Sequence, residues 1–221
     1  MDMRADFVLP LALKLLGNQS DPAVANAIAE LKVWLADGAH RIDRNKDGVY
    51  EHSDAIRILD AWWPLWMQAE FEPSLGSDLF GKVKDILSLD NPPNNGGDHL
   101  GSSYQDGWWG YASKDLRRVL GRRERGKFSR VYCGNKYRGR HTRKRTRRGC
   151  RAALLNSLIQ AARTPASKLY QDDVCNAQKR QGDQACYDSV MFRALGAVTQ
   201  PLVPWINRPT FQQVVEVQSH R

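Results

Sequence analysis

The sequence has no apolar stretch that approaches the length of a membrane span. Its first apolar segment, Phe7 to Leu16, is interrupted by Pro10 and Lys14. The residues before it, Met1-Asp2-Met3-Arg4-Ala5-Asp6, include two acids, and no small-residue cleavage site follows, so the start does not read as a secretory signal. Metal-site and catalytic signatures are also missing. There is no CxxC pair of the zinc-binding kind, no G-x-S-x-G and no HExxH. The five histidines, His40, His52, His99, His141 and His220, form no local constellation, and each reads as surface or structural. Acids are absent from Lys136 to Arg148, which holds eight cations. Without that stretch the formal charge of +9 falls to about +1, so basicity belongs to one segment and not to the fold. Strand-like segments are few.

What is present suffices for a packed core: hydrophobic residues make up 42% of the 221, with seven tryptophans. The four cysteines fall in two close pairs, Cys133 with Cys150 and Cys175 with Cys186. An even count at short spacing points to two local disulfides and an oxidising compartment, with reduced structural thiols as the alternative. Exported cysteines and a start without an export signal are reconciled if the chain is cut from a longer precursor.

Periodicity predicts helices. Residues 7–17 read as a short helix ending at Gly17. Ser20 or Asp21 can cap the next, with Pro22 in its first turn, and Val24, Ile28, Leu31, Trp34 and Leu35 form its stripe to near Gly38. Ile56, Leu59, Trp62, Trp63 and Trp66 mark another helix, perturbed at Pro64, and their spacing reads as core. Further helices are expected at 74–88, 113–120 and 150–162. Trp108 and Trp109 fall in a Gly-rich loop, where lining a cleft mouth is the alternative to packing. Phe211 to Val217 reads as a strand. The chain is thus expected to be mainly α with a short C-terminal β element. It divides into a helical region at 1–90, a Trp- and Gly-rich loop region with a short helix at 91–135, a disordered basic insertion at 136–149, and a helix plus terminal strand at 150–221.

The sharpest chemical pattern is Asp43-Arg44-Asn45-Lys46-Asp47-Gly48-Val49-Tyr50-Glu51-His52-Ser53-Asp54. Asp43, Asn45, Asp47, Glu51 and Asp54 place oxygen side chains at positions 1, 3, 5, 9 and 12 of a twelve-residue loop, Val49 offers its carbonyl at position 7, and Gly48 occupies the sharp turn. These are the ligand slots of an EF-hand, flanked by helices. Four carboxylates so close suit a hard cation, and a structural calcium ion is expected. Asp54 stands where Glu is usual, which resembles the single loops of dockerins and shortens the reach for bidentate binding. A solvated polar turn is the plain alternative.

Several segments, in order, resemble the C-terminal region of the penicillin acylase (penicillin amidase) family. They are Ala39-His40-Arg41-Ile42-Asp43 with the Asp47-Gly48 turn, Ile58-Leu59-Asp60-Ala61-Trp62-Trp63-Pro64, Gln105-Asp106-Gly107-Trp108-Trp109-Gly110-Tyr111, Tyr132-Cys133-Gly134 with Cys150-Arg151-Ala152-Ala153-Leu154-Leu155, and Asn207-Arg208-Pro209-Thr210-Phe211-Gln212-Gln213-Val214-Val215-Glu216. The resemblance implies a C-terminal portion of an αββα N-terminal-nucleophile hydrolase sandwich from an extracellular or periplasmic parent enzyme. Such an enzyme hydrolyses linear amides with a hydrophobic acyl group, as in β-lactam side chains or acyl-homoserine lactones, through a serine freed by self-cleavage. Met1-Asp2 exposes no such nucleophile, and neither Gly76-Ser77 nor Gly101-Ser102 is followed by the expected sequence, so no catalytic residue is assigned. The implied partner is the remainder of the hydrolase, its small subunit and the N-terminal part of its large one. The basic run departs from the family and reads as an insertion or a stretch in a shifted frame. Two other functions compete: a stand-alone dockerin-like calcium-binding interaction module, and a polyanion-binding protein acting through 136–148, with no sequence-specific nucleic acid expected.

Overall fold

The computed structural model describes residues 2–86, 108–123, 130–134, 143–171, 173–177, 179–180, 182–187, 189–192 and 203–206. Two short helices, α1 (Met3–Phe7) and α2 (Leu9–Leu16), open it. The Asp2 carboxylate caps α1 by accepting the Arg4 N–H, and Gly17 closes α2 at a positive φ of 63°. Helix α3 (Pro22–Ala36) begins as its sequence dictates: Asp21 accepts the Val24 N–H, and Pro22 needs no partner in the first turn. Val24, Ile28, Leu31 and Trp34 are its buried stripe.

Helix α4 (Ser53–Leu75) is the central element, about 34 Å long at 1.5 Å per residue. It runs through Pro64 and Pro73. An internal proline costs about 3 kcal/mol by removing a donor and crowding the preceding turn. Here the helix persists because Trp62, Trp63 and Trp66 are all buried in its middle, each worth roughly 3 kcal/mol of transfer energy. Gly76 separates it from α5 (Ser77–Ile86). Helix α6 (Trp108–Val119) and the long α7 (Arg143–Ala162) complete the core, with α7 packed along α4. The Trp62 indole N–H donates to Ser157 Oγ at 2.9 Å and ties those two helices together.

The outer segments are short: α8 (Ala166–Leu169), α9 (Asp173–Ala177) and α10 (Gln184–Tyr187). Strand β1 (Ser189–Phe192) then pairs antiparallel with β2 (Val203–Ile206). Both expected disulfides are present, Cys133–Cys150 and Cys175–Cys186. No described helix is long and apolar enough to cross a membrane.

Two expectations are corrected. The αββα sandwich portion is not seen: the described core is helix on helix, and the described strands form a single two-stranded ladder. Helices dominate because the apolar residues recur at helical spacing along α3, α4 and α7, which leaves no continuous two-fold pattern to build stacked sheets. The second correction concerns the segments read as loop. Trp108 and Trp109 open α6, and Arg143 to Arg148 form the start of α7. Trp108 is buried against Phe71 and Phe80, at ring separations of 5.0 and 5.7 Å, while Trp109 stacks on Phe7 at 5.1 Å. The expected strand at 211–217, and residues 91–107 and 136–142 of the loop and basic segments, lie outside the described residues.

Candidate metal centre

The segment from Asp37 to His52 joins α3 to α4. Its ends are clasped by the His52 Nε2 to Asp37 Oδ2 contact of 2.9 Å, which holds the Asp37 carboxyl below the usual range. Inside, the carboxylates organise the backbone. Asp43 accepts the N–H groups of Asp47 (3.2 Å) and Gly48 (2.8 Å), Asp47 accepts that of Val49 (2.9 Å), and Glu51 accepts that of Arg44 (2.9 Å). The Glu51 N–H closes the loop on Ile42 O at 3.0 Å. Lys46 and Gly48 adopt left-handed φ values of 56° and 90°, which give the chain its sharp reversal.

Structure thus brings Asp43, Asp47 and Glu51 to work on one loop, with Asn45 and the Val49 carbonyl between them. Asp54 stands apart: it starts α4 and faces Arg57 at 3.3 Å. Among the described residues no group of three or more His, Cys, Asp or Glu converges closely enough to hold a metal ion. The donors fit a hard cation by chemistry and order. Joining them around one ion requires Asp54 to exchange Arg57 for the cation.

The loop rests on a segment that the sequence pattern did not single out. Gly48 O accepts the Ala185 N–H (3.2 Å), and the Asp183 carboxylate presses on Gly48 so closely that a Cβ there would lie 2.3 Å from Asp183 Oδ2. Gln184 Oε1 faces the Tyr50 N–H (3.4 Å), and its amide N–H groups donate to Ser53 O (2.7 Å) and to the Tyr170 hydroxyl (3.0 Å). The Cys175–Cys186 bond secures this segment. A recess of about 340 Å³ opens beside it, lined in part by Val49, Asp54, Arg57 and Gln184.

Tyr170 passes the connection inward, donating to Asp60 Oδ2 at 3.0 Å. Asp60 belongs to a buried four-charge network. Arg4 bonds Asp2 (2.7 Å) and Asp60 (2.9 Å), and Arg41 bonds Asp2 (3.2 Å) and Asp60. Burial disfavours the Arg4 charge, but the two aspartates outweigh that and hold its pKa above the ordinary value. Arg41 lies two residues before Asp43, so the network fixes the direction in which the loop leaves.

A second ionisable cluster lies deeper. Glu70 on α4 is fully buried; Trp66 Nε1 donates to its Oε2 at 2.7 Å. Asp115 on α6 pairs with Lys114 at 2.6 Å and accepts the N–H groups of Tyr132 (2.6 Å) and Cys133 (2.9 Å). Burial first, and the Asp115 charge second, push the Glu70 carboxyl well above its usual range. Asp115 holds the Cys133 arm to the core. Enclosure denies the two acids a substrate, so their role is structural.

Comparison of the chain with family models, with curated proteins and with solved structures found no match.

Proposed function

We propose that this chain is a calcium-binding helical part of an amide hydrolase of the penicillin acylase type, and that it supplies scaffold and metal site while the nucleophile lies on the remainder of the enzyme. The observation that carries the metal reading is the loop itself, where Asp43, Asp47 and Glu51 already fold the backbone around the turn at Gly48. A cation there would offset the repulsion of the Asp43, Asp47 and Glu51 carboxylates and join the ends of α3 and α4. The family reading is supported by where the resembling segments fall. Arg41 and Asp60 bond each other in the buried network, Trp62 and Trp63 are core, and Cys133 is bonded to Cys150. Those are the joints on which the helices depend. The acyl substrates would be amides with hydrophobic acyl groups, such as β-lactam side chains or acyl-homoserine lactones. An exported parent enzyme suits the two disulfides.

The reading is tested in two independent steps. Calorimetric titration of the purified chain with calcium should show a single site that Asp43→Ala or Asp47→Ala abolishes; absence of binding in the unmodified chain overturns the metal assignment. Co-expression with the remainder of the enzyme should give a stable complex that hydrolyses a hydrophobic acyl amide, while this chain alone does not. A chain that remains separate from that remainder contradicts the hydrolase assignment and leaves the calcium result untouched.

A further inference from the structure

The cations of α7 are not distributed evenly around the helix. Lys144, Arg147, Arg148 and Arg151 recur at i, i+3, i+4 and i+7, which places them along one stripe about 10 Å long. Thr146, Cys150 and Ser157, on the other side of the helix, are buried, and beyond Arg151 the row of the stripe itself turns inward at Leu154 and Leu158. Lys144, Arg147 and Arg148 are exposed, and among the described residues they have no ion-pair partner. Arg151 uses its Nε–H on Leu16 O at 3.1 Å, which pins the inner end of the stripe. No acid occurs anywhere in α7, and the positive end of the helix dipole adds to the same field.

This face is rigidly mounted. The disulfide to Cys133 grips the helix at Cys150, and Gly134 lies so close to α7 that a Cβ there would sit 2.3 Å from Cys150 N and 2.4 Å from Thr146 O. A stripe held this way keeps its charges in register, unlike a flexible basic tail.

We propose that this face of α7 binds the phosphate backbone of duplex nucleic acid without sequence preference. Charge complementarity is the first reason, and the choice among polyanions follows from what the face lacks. Its exposed residues, Lys144, Arg145, Arg147, Arg148, Ala152 and Asn156, include no aromatic on which single-stranded bases could stack. They include no large apolar side chain to enter a lipid interface. Arginine predominates, and its planar fork matches phosphate oxygens. A helix with side chains is about 10–12 Å across, and the major groove is about 12 Å wide.

The test is fluorescence anisotropy of the full chain with a labelled duplex of mixed sequence, over a range of salt. Binding in the micromolar to 100 micromolar range near physiological salt is expected, about 10⁻⁴–10⁻⁶ M. The triple variant Lys144→Gln/Arg147→Gln/Arg148→Gln should make the slope of log K against log salt shallower by close to 3, about 0.9 per lost phosphate contact. The single changes Arg147→Gln and Arg148→Gln should each give about a third of that. A control with equal charge removed elsewhere, Lys82→Gln/Lys168→Gln/Lys179→Gln, should leave the slope as it was. Equal effects of both triple variants would mean net charge alone and would overturn the site. So would an unchanged slope in the α7 variants, or tighter binding to phosphatidylserine vesicles than to the duplex.

Discussion

Gly48 is the residue at which the loop and its support meet. Its φ of 90° lies in the region that disfavours side chains, and the Asp183 carboxylate occupies the space a Cβ would need. Gly48→Ala is expected to destabilise the chain by about 1–3 kcal/mol in denaturant unfolding, and more than Gly76→Ala, where φ is 80° but no atom lies within 4 Å. Asp60 is a second such residue, since it accepts from Arg4, Arg41 and Tyr170. Removing a buried charge partner usually costs about 3–5 kcal/mol, so Asp60→Ala should lower the unfolding free energy by that order. Glu70 gives a pH signature. Its folded pKa is raised, so its contribution is complete below the unfolded value and declines as pH rises through the folded one. The stability of the unmodified chain relative to Glu70→Gln should therefore fall as pH is raised from about 4.5 into the neutral and alkaline range. A constant difference between the two proteins across that range would contradict a raised Glu70 pKa.

At the scale of elements, local signals carried well where the causes are local. Asp21 and Pro22 start α3, Gly17 ends α2, and the cysteine spacing gave both disulfides, whereas Gly76, expected inside a helix at 74–88, instead separates α4 from α5. Features that depend on distant partners were not legible. Trp108-Trp109-Gly110 looks like a loop from composition, but Phe71, Phe80 and Phe7 supply the surfaces that make it the first turn of α6. Arg143 to Arg148 lacks any apolar residue, yet it continues α7 outward from a helix whose inner face is fixed by Cys150 and Leu154. The Asp43–Asp54 pattern was visible; its backing by Asp183 and Gln184, more than a hundred residues later, was not. The Cys133–Cys150 link should matter most for this part of the fold. It closes a loop of 17 residues, and replacing both cysteines by alanine is expected to cost about 3 kcal/mol. Because Asp115 also grips the same arm through two backbone N–H groups, the loss should be partial and the helices should remain by circular dichroism.

For the whole molecule, the helices, the buried charge network and the loop form one connected system. Asp43 leaves from Arg41, Arg41 meets Asp60, Tyr170 links Asp60 to Gln184, and Gln184 returns to the loop at Ser53. An ion held by the loop would therefore be felt by α3, α4 and α10 together, so its effect should appear in global unfolding and not only in local order. Thermal unfolding of the oxidised chain, in calcium and then in chelator, measures this directly. A single cooperative transition that calcium moves upward is expected, with stabilisation of about 2.7 kcal/mol at a hundredfold excess over Kd, and no such shift in Asp43→Ala. Identical transitions in calcium and chelator would contradict the metal site on which the proposed function rests.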